Sequence, residues 1–131
     1  HKSRTTRIIQ MAKILITDDS PTIVALVREI LESAGYEVAT AADGLEALNK
    51  IKSERPDLVI LDLMLPKMDG YHVCRLSKFD ASCKDIPIII LTARGQENDK
   101  QLATEVGANA YIVKPFEPEV LLEKVKELLK E

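Results

Sequence analysis

Short apolar runs alternate along the chain with longer stretches of helical periodicity. The apolar runs predict five strands, at Lys13 to Thr17, Tyr36 to Thr40, Asp57 to Asp62, Pro87 to Leu91 and Tyr111 to Val113. Helix-length segments between successive strands indicate βα units and a parallel sheet rather than hairpins. The pattern therefore predicts an α/β fold of (βα)₅ type, with a doubly wound sheet of five parallel strands.

The segments between the strands carry helix start and stop signals. Ser20 and Pro21 supply a cap and a first-turn proline, and Gly35 ends that helix. The later helices are expected to start at Asp43-Gly44, after Asp69-Gly70 (through Val73 and Leu76), at Glu97 (to Val106) and at Pro118. Helical spacing predicts three apolar faces: Ile23, Leu26, Val27, Ile30 and Leu31; Leu45, Leu48 and Ile51; and Leu121, Leu122, Val125, Leu128 and Leu129.

Strand composition predicts the order of the sheet. The third strand, DLVILD, is an almost unbroken apolar run, as expected of a central strand buried on both faces. The second strand is more polar and suits an edge. Right-handed crossovers then favour the flavodoxin-like order 2-1-3-4-5, which places a ligand site beyond the carboxyl ends of strands 1 and 3.

Composition narrows the class of protein. Hydrophobic residues make up 46% and charged residues 30% of 131 positions, as is typical of one globular domain. A net charge of −3 argues against direct binding of nucleic acid, and no apolar run is long enough to cross a membrane. Cys74 and Cys83 lack metal-ligand spacing and are expected to be reduced thiols. These features predict a cytoplasmic protein.

The chain divides into a short leader and one domain. Residues 1–10 are basic and polar and lack the apolar core of a signal peptide, so we interpret them as a leader or tag-derived extension. No repeat or linker divides residues 11–131, which are expected to form a single domain.

Polar residues follow four of the predicted strands at their carboxyl ends. Asp18 and Asp19 follow strand 1, Asp62 ends strand 3, Thr92 follows strand 4 and Lys114 follows strand 5. Three carboxylates brought together repel one another unless a proton, a lysine or a metal ion shares the site. Mg²⁺ is the expected ion, because it prefers oxygen ligands. Isolated acids at loops are usually solvated or cap helices, but this convergence favours a functional site.

The residue set suits phosphoryl transfer, which needs a nucleophile, a metal ion and groups that contact the phosphoryl oxygens. Asp62 is the expected nucleophile because it closes the central strand, and Asp18 and Asp19 are expected to bind the metal. Lys114 can balance the added charge, and Thr92 can donate its hydroxyl to a phosphoryl oxygen.

From Lys13 to Glu131 the chain resembles the receiver domains of two-component response regulators. The motifs that carry the resemblance are Asp18-Asp19, DLVILDLMLPKMDG around Asp62, the LTA at 91–93 and the VKPF at 113–116. The resemblance implies that Asp62 accepts phosphate from a sensor histidine kinase or phosphotransfer protein. It also implies that Asp18, Asp19, Asp62 and the Met64 backbone carbonyl hold Mg²⁺, for which Mn²⁺ can substitute, and that a cis peptide joins Lys114 to Pro115.

The same resemblance implies a conformational switch. Phosphorylation is expected to draw Thr92 and Lys114 inward, and Tyr111 on strand 5 is expected to rotate behind the threonine. The output surface would comprise helix 4, strand 5 and helix 5, facing an output domain, an effector protein or a second copy of the chain. Such a protein catalyses only its own phosphorylation and dephosphorylation and is not a multiple-turnover enzyme on an external substrate.

Three alternative classes of protein share part of this pattern. A haloacid-dehalogenase-type phosphatase needs a second aspartate two residues after its nucleophile, where this chain has Met64. A flavodoxin-like or nucleotide-binding module needs a phosphate loop, whereas strand 1 is followed by the acidic DDSP. A receiver-like module that binds partners without phosphorylation is the remaining alternative.

Three further residues lie close to these motifs in sequence. His72 is interpreted as an exposed helix residue rather than a ligand. Met64 and Arg94 lie two positions after Asp62 and Thr92, where family members influence the access of water to the phosphoryl group. The apolar Met64 predicts a longer-lived phosphorylated state than a polar residue there would give.

Overall fold

The computed structural model describes residues 11–93 and 97–131. Its strands are β1 (Lys13–Thr17), β2 (Glu37–Ala41), β3 (Leu58–Asp62), β4 (Ile88–Thr92) and β5 (Ala110–Val113). Its helices are α1 (Pro21–Ser33), α2 (Gly44–Glu54), α3 (Gly70–Phe79), α4 (Glu97–Glu105) and α5 (Pro118–Leu129). The strand bounds differ from the predicted ones by one residue at most. The leader and Arg94 lie outside the described residues.

The five strands form one parallel sheet in the order β2-β1-β3-β4-β5. This order confirms the prediction, including the central position of β3 and the edge position of β2. All five residues of β3 are buried, whereas β2 buries only Ala41 fully. The carboxyl ends of β1 and β3 therefore meet at the predicted switch point.

Alternate residues of the buried strands feed two apolar cores, one on each face of the sheet. One core lies under α1 and α5 and includes Ile16, Ile60, Val27 and Val125. The other lies under α2, α3 and α4. Burying one such aliphatic side chain contributes about 1.5–3 kcal/mol, so the sheet is held rigidly from both sides.

Two predicted core positions on the helices are wrong. Leu26 in α1 and Leu45 in α2 are exposed. Leu26 lies about 100° around the helix from the buried Val27, because each residue of an α-helix turns by that angle. In α2 the face that meets the sheet is formed by smaller residues, Gly44 and Ala47, together with Ile51. The apolar spacing identified the helices correctly but overestimated the width of their buried faces.

Side-chain caps fix where three helices begin. The Ser20 hydroxyl accepts a hydrogen bond from the backbone N–H of Ile23, at 3.3 Å. Asp43 and Asp69 cap α2 and α3 in the same way through their carboxylates. Each cap ends a loop that leaves the carboxyl edge of the sheet, so the caps also position that edge.

The two cysteines and the lengths of the helices agree with the sequence pattern. Cys74 and Cys83 are free, buried thiols, as expected. Among the helices in the described ranges, none has the length and apolar character that a membrane span requires.

Candidate phosphoacceptor site

The structure gathers the three predicted acids at the carboxyl edge of the sheet. Asp18 and Asp19 directly follow β1, and Asp62 is the last residue of the neighbouring β3. One carboxylate oxygen from each lies within 4.8 Å of the others. Adjacent parallel strands that end together therefore produce the cluster that the sequence predicted.

Burial makes this cluster electrostatically unusual. Asp18 is only 3% exposed and Asp62 only 6%, while Asp19 is exposed to solvent. Burial, followed by the nearby negative charge of Asp18, raises the pKa of Asp62 above its ordinary value. The Lys114 ammonium and the backbone N–H of Met64, which hydrogen-bonds to Asp62, act in the opposite direction. The site therefore has more buried negative charge than the Lys114 ammonium and the Met64 N–H neutralise.

Lys114 provides the positive charge within this cluster. Its Nζ lies 3.0 Å from Asp18 Oδ2 and 3.6 Å from Asp62 Oδ1. The peptide bond between Lys114 and Pro115 is cis, as the resemblance implied. The backbone of this turn is also tied to β4, because the Lys114 N–H donates to the carbonyl of Thr92. One ammonium group thus contacts two carboxylates from two different strands.

Thr92 and Tyr111 occupy neighbouring strands beside the acids. Thr92 is the last residue of β4, immediately after Leu91, which is paired with Asp62. It is almost fully buried. Tyr111 lies on β5 opposite Ile90 and packs, half-buried, against the core under α2, α3 and α4. Thr92 thus ends the strand next to Asp62, and Tyr111 lies on the strand beyond it, while their roles in a switch remain predictions.

Met64 lies beside Asp62, whereas His72 does not belong to the group of acids found among the described residues. The Met64 side chain is 67% exposed and contributes no polar group, although its backbone N–H contacts Asp62. His72 is an exposed residue in the first turn of α3, and its Nδ1 lies 3.1 Å from Asp69 Oδ1. His72 is thus an exposed helix residue, as predicted, and it also contacts the aspartate that caps α3.

Sequence reasoning missed several residues that shape the site. Ser20 donates its backbone N–H to Asp18 Oδ1 at 2.9 Å, which orients that carboxylate. Gly44 and Gly70 contact the loop that follows Asp62. The sequence did contain a signal, because both glycines follow a capping aspartate at the first position of a helix, where glycine has no local advantage.

The donor atoms of the cluster fit a hard divalent cation. The three side chains offer carboxylate oxygens only, two of them buried, at separations that a single ion can bridge. Mg²⁺ favours such ligands and retains several waters, which the exposed side at Asp19 and Met64 can accommodate. A cation there would also offset the excess of buried negative charge around Asp62.

Comparison with known proteins identifies the family. The family model for the response regulator receiver domain matches residues 14–126. The alkaline phosphatase synthesis transcriptional regulatory protein PhoP of Bacillus subtilis is 47% identical over 118 residues, which cover 90% of this chain and 48% of PhoP. The chain therefore spans about half the length of this relative.

Solved structures agree with the match. A putative response regulator from Chloroflexus aurantiacus superposes with a TM-score of 0.89 at 41% identity, covering 93% of this chain and all of that one. The receiver domain of the sensor histidine kinase PA1611 from Pseudomonas aeruginosa, with a magnesium ion coordinated in its active site cleft, superposes with a TM-score of 0.86 at 30% identity. These alignments cover 93% of this chain and 100% of the PA1611 domain. On its fold, its matched motifs and these similarities, the chain belongs to the family of response regulator receiver domains.

Proposed function

We propose that this receiver domain accepts a phosphoryl group on Asp62, with Mg²⁺ bound beside it, and signals by a change of conformation. The observation that carries the proposal is the convergence of Asp18, Asp19, Asp62 and Lys114 at one edge of the sheet. A receiver of the same fold, that of PA1611, holds magnesium in its active site cleft, which supports the choice of ion.

The donor is a phosphohistidine on a sensor histidine kinase or on a phosphotransfer protein. An oxygen of Asp62 forms the new P–O bond while the P–N bond to the imidazole breaks, and its electron pair returns to the ring nitrogen. Asp18, Asp19, Asp62 and the Met64 carbonyl are the proposed ligands of Mg²⁺, with Mn²⁺ as a substitute. When bound, the ion supplies positive charge that stabilises the phosphoryl oxygens and the carboxylates together.

The change of conformation follows from the added charge. A phosphoryl group on Asp62 offers Lys114 a new anionic partner in place of the Asp62 oxygen 3.6 Å away. Thr92, at the end of the adjacent strand, then donates its hydroxyl to a phosphoryl oxygen, and Tyr111 moves behind it. We propose α4, β5 and α5 as the surface that carries this change.

That surface addresses an output domain or an effector protein, or pairs two phosphorylated copies of the chain. Several relatives are transcriptional regulators about twice the length of this chain, which supports a DNA-binding output reached through the receiver rather than by it. The receiver itself reacts once per phosphoryl group and is not a multiple-turnover enzyme. We propose that it acts in the cytoplasm.

The test is intact mass spectrometry after incubation with acetyl phosphate, with Mg²⁺ or with EDTA. We expect a gain of one phosphoryl group that requires Mg²⁺ and is absent from Asp62→Asn. Asp57→Asn is the matched control, because Asp57 immediately precedes the same strand at its other end, is exposed, and accepts a hydrogen bond from the backbone N–H of Lys13 at 2.7 Å. Asparagine can still accept that hydrogen bond.

The mass measurement distinguishes phosphorylation on Asp62 from partner binding without phosphorylation. Phosphorylation of the wild-type chain and Asp57→Asn, but not of Asp62→Asn, supports the proposal. If the wild-type chain gains no mass and a beryllium fluoride complex with Mg²⁺ also leaves its NMR spectrum unchanged, then the module that binds partners without phosphorylation becomes the better interpretation.

A further inference from the structure

The loop that connects β3 to α3, residues 63–69, determines the position of Met64. We refer to it as the acceptor loop. The backbone N–H of Met64 hydrogen-bonds to the Asp62 carboxylate, and the Met64 carbonyl is the proposed fourth protein ligand of Mg²⁺. Small displacements of this loop therefore change both the nucleophile and the metal site.

The start of α2 touches the acceptor loop more closely than any side chain would allow. The Gly44 N–H donates to the carbonyl of Pro66 at 3.2 Å. A Cβ on Gly44 would lie 1.8 Å from the carbonyl oxygen of Met68 and 2.6 Å from its carbonyl carbon. Both atoms are backbone, so alanine at position 44 would push the loop itself rather than a flexible side chain.

The acceptor loop adopts a strained shape at the point of this contact. The Met68 N–H also donates to the Pro66 carbonyl, at 2.7 Å, and Lys67 between them has φ = +70°. A three-residue turn of this hand, with a positive φ at its central residue, is rare for a residue with a side chain. The Lys67 ammonium lies 3.6 Å from Asp43 Oδ2, while Asp43 Oδ1 caps α2. The start of α2 thus supports the strained turn at two points.

A second glycine holds the other end of the acceptor loop. Gly70 donates its N–H to the Leu63 carbonyl at 2.9 Å. A Cβ on Gly70 would lie 2.3 Å from the carbonyl oxygen of Asp62. The loop therefore starts against α3 and passes against α2 before it reaches α3 again, which leaves little freedom for Met64 between these contacts.

We propose that the Asp43-Gly44 start of α2 is a positioning element for the phosphoacceptor site, acting through the acceptor loop on Met64 and hence on Mg²⁺ binding. Gly44 is then a positioning residue that touches neither the metal nor the phosphoryl group. This inference rests on the proposed function, because it assigns to α2 a part in the same metal site.

The decisive variant is Gly44→Ala, assayed by NMR titration of the unphosphorylated protein with MgCl₂. We expect the dissociation constant for Mg²⁺ to rise about tenfold, as is usual when a group that orients a metal ligand is disturbed. In parallel, the Mg²⁺ concentration that half-saturates phosphorylation by acetyl phosphate should rise by the same factor. A merely destabilised protein would lose folded signal without changing either value in the fraction that remains folded.

Ala47→Gly is the matched control. It changes one methyl group in the same helix, at a fully buried position in the core under α2, α3 and α4, three residues after the glycine that meets the Met68 backbone. We expect it to lower stability while leaving Mg²⁺ affinity unchanged. A Gly44→Ala protein that is folded and binds Mg²⁺ as tightly as wild type would overturn the inference.

Lys67→Gly decides the question if Gly44→Ala does not fold. Glycine suits φ = +70°, so the fold should be retained, and the loss of a positive charge should by itself strengthen Mg²⁺ binding. Weaker binding of Mg²⁺ would therefore reveal a loop that has lost its position, whereas unchanged or tighter binding would contradict the inference. If wild type itself binds no Mg²⁺, the proposed function fails instead, whatever the variants do.

Discussion

Two partly buried lysines lie at opposite ends of the parallel strands, one at the amino ends and one at the carboxyl ends, and they contact different kinds of group. Lys78, near the end of α3, reaches the amino ends of β4 and β5. Its Nζ donates to the carbonyl of Ile86 and to Asn109 Oδ1, both at 2.8 Å, and to the carbonyl of Lys84 at 3.3 Å. All three donors of this ammonium group are thus directed at neutral, fixed acceptors.

Lys114, at the carboxyl edge, contacts anions instead. Its ammonium lies between Asp18 and Asp62, and the exposed Asp19 adds a third negative charge close by. One positive charge cannot neutralise three carboxylates, so this edge can still bind a cation or exchange partners. A lysine whose three donors all meet neutral acceptors thus stabilises the fold, whereas a lysine outnumbered by carboxylates is available for chemistry.

Lys78→Met should have the largest effect, because it removes three hydrogen bonds from one charged donor. Hydrogen bonds to charged groups contribute about 1.5–3 kcal/mol each, but burial lowers the pKa of Lys78, and that desolvation penalty offsets part of the gain. We expect the free energy of unfolding in urea to fall by about 2–3 kcal/mol. Mg²⁺ affinity should not change.

The control for this substitution is Lys52→Met. Lys52 lies on an exposed face, 3.8 Å from Asp80, and exposed ion pairs contribute about 0–1 kcal/mol. If the two methionine variants were equally stable, the three contacts of Lys78 would not hold α3 to the amino edge, and the contrast between the two lysines would be lost.

Asp62→Asn should have the next largest effect, with the opposite sign. Burial and Asp18 raise the pKa of Asp62 above 3.8 in the folded chain, so the folded state binds this proton more tightly than the unfolded state. Wild-type stability should therefore fall as the pH rises from about 4 through the raised pKa, because ionised Asp62 is disfavoured in the fold. At pH 7 in EDTA we expect the variant to be more stable by on the order of 1 kcal/mol.

Urea unfolding of both proteins across this pH range measures the effect. The difference in unfolding free energy should vanish at low pH, where Asp62 is protonated in both states. Saturating Mg²⁺ should reduce or reverse it at pH 7, since only wild type has the full set of carboxylates. A difference that ignored both pH and Mg²⁺ would mean that the carboxyl edge carries no excess of negative charge.

The amino and carboxyl ends of the strands also differ in how far their structure can be predicted from the sequence. The apolar runs and the acids at the ends of β1 and β3 gave the sheet order and the candidate site, because strand position and side-chain chemistry are local properties. The contacts of Lys78 and the fit of Gly44 against Met68 were not predicted. They depend on how a helix packs against a loop in the folded chain. The Asp43-Gly44 pair marks the start of a helix, but it does not identify the loop that Gly44 contacts.

Thr17→Val tests the packing beneath the acids. The Thr17 hydroxyl is buried next to Asp18, and within the described chain it has no hydrogen-bond partner. Valine has nearly the same shape and lacks the polar group, so we expect stability to rise by about 1 kcal/mol. Thr17→Ser keeps the hydroxyl and should lower stability, as urea unfolding of both variants can show. A less stable Thr17→Val would indicate that a buried water satisfies the hydroxyl.

Met64→Asn should have the smallest effect, and it tests how open the carboxyl edge is to water. Met64 is 67% exposed and places no polar side chain beside Asp62, so it cannot orient a water molecule for attack on the phosphoryl group. An amide there can hold such a water, and we expect the aspartyl phosphate to decay several-fold faster, which corresponds to about 1 kcal/mol in activation free energy. The decay is followed by intact mass after acetyl phosphate is removed.

The control is Phe79→Asn, which changes an exposed apolar residue at the far end of α3. Its aspartyl phosphate should decay at the wild-type rate. Equal lifetimes for all three proteins would show that the residue at position 64 does not control hydrolysis, and that access of water is limited elsewhere at this edge.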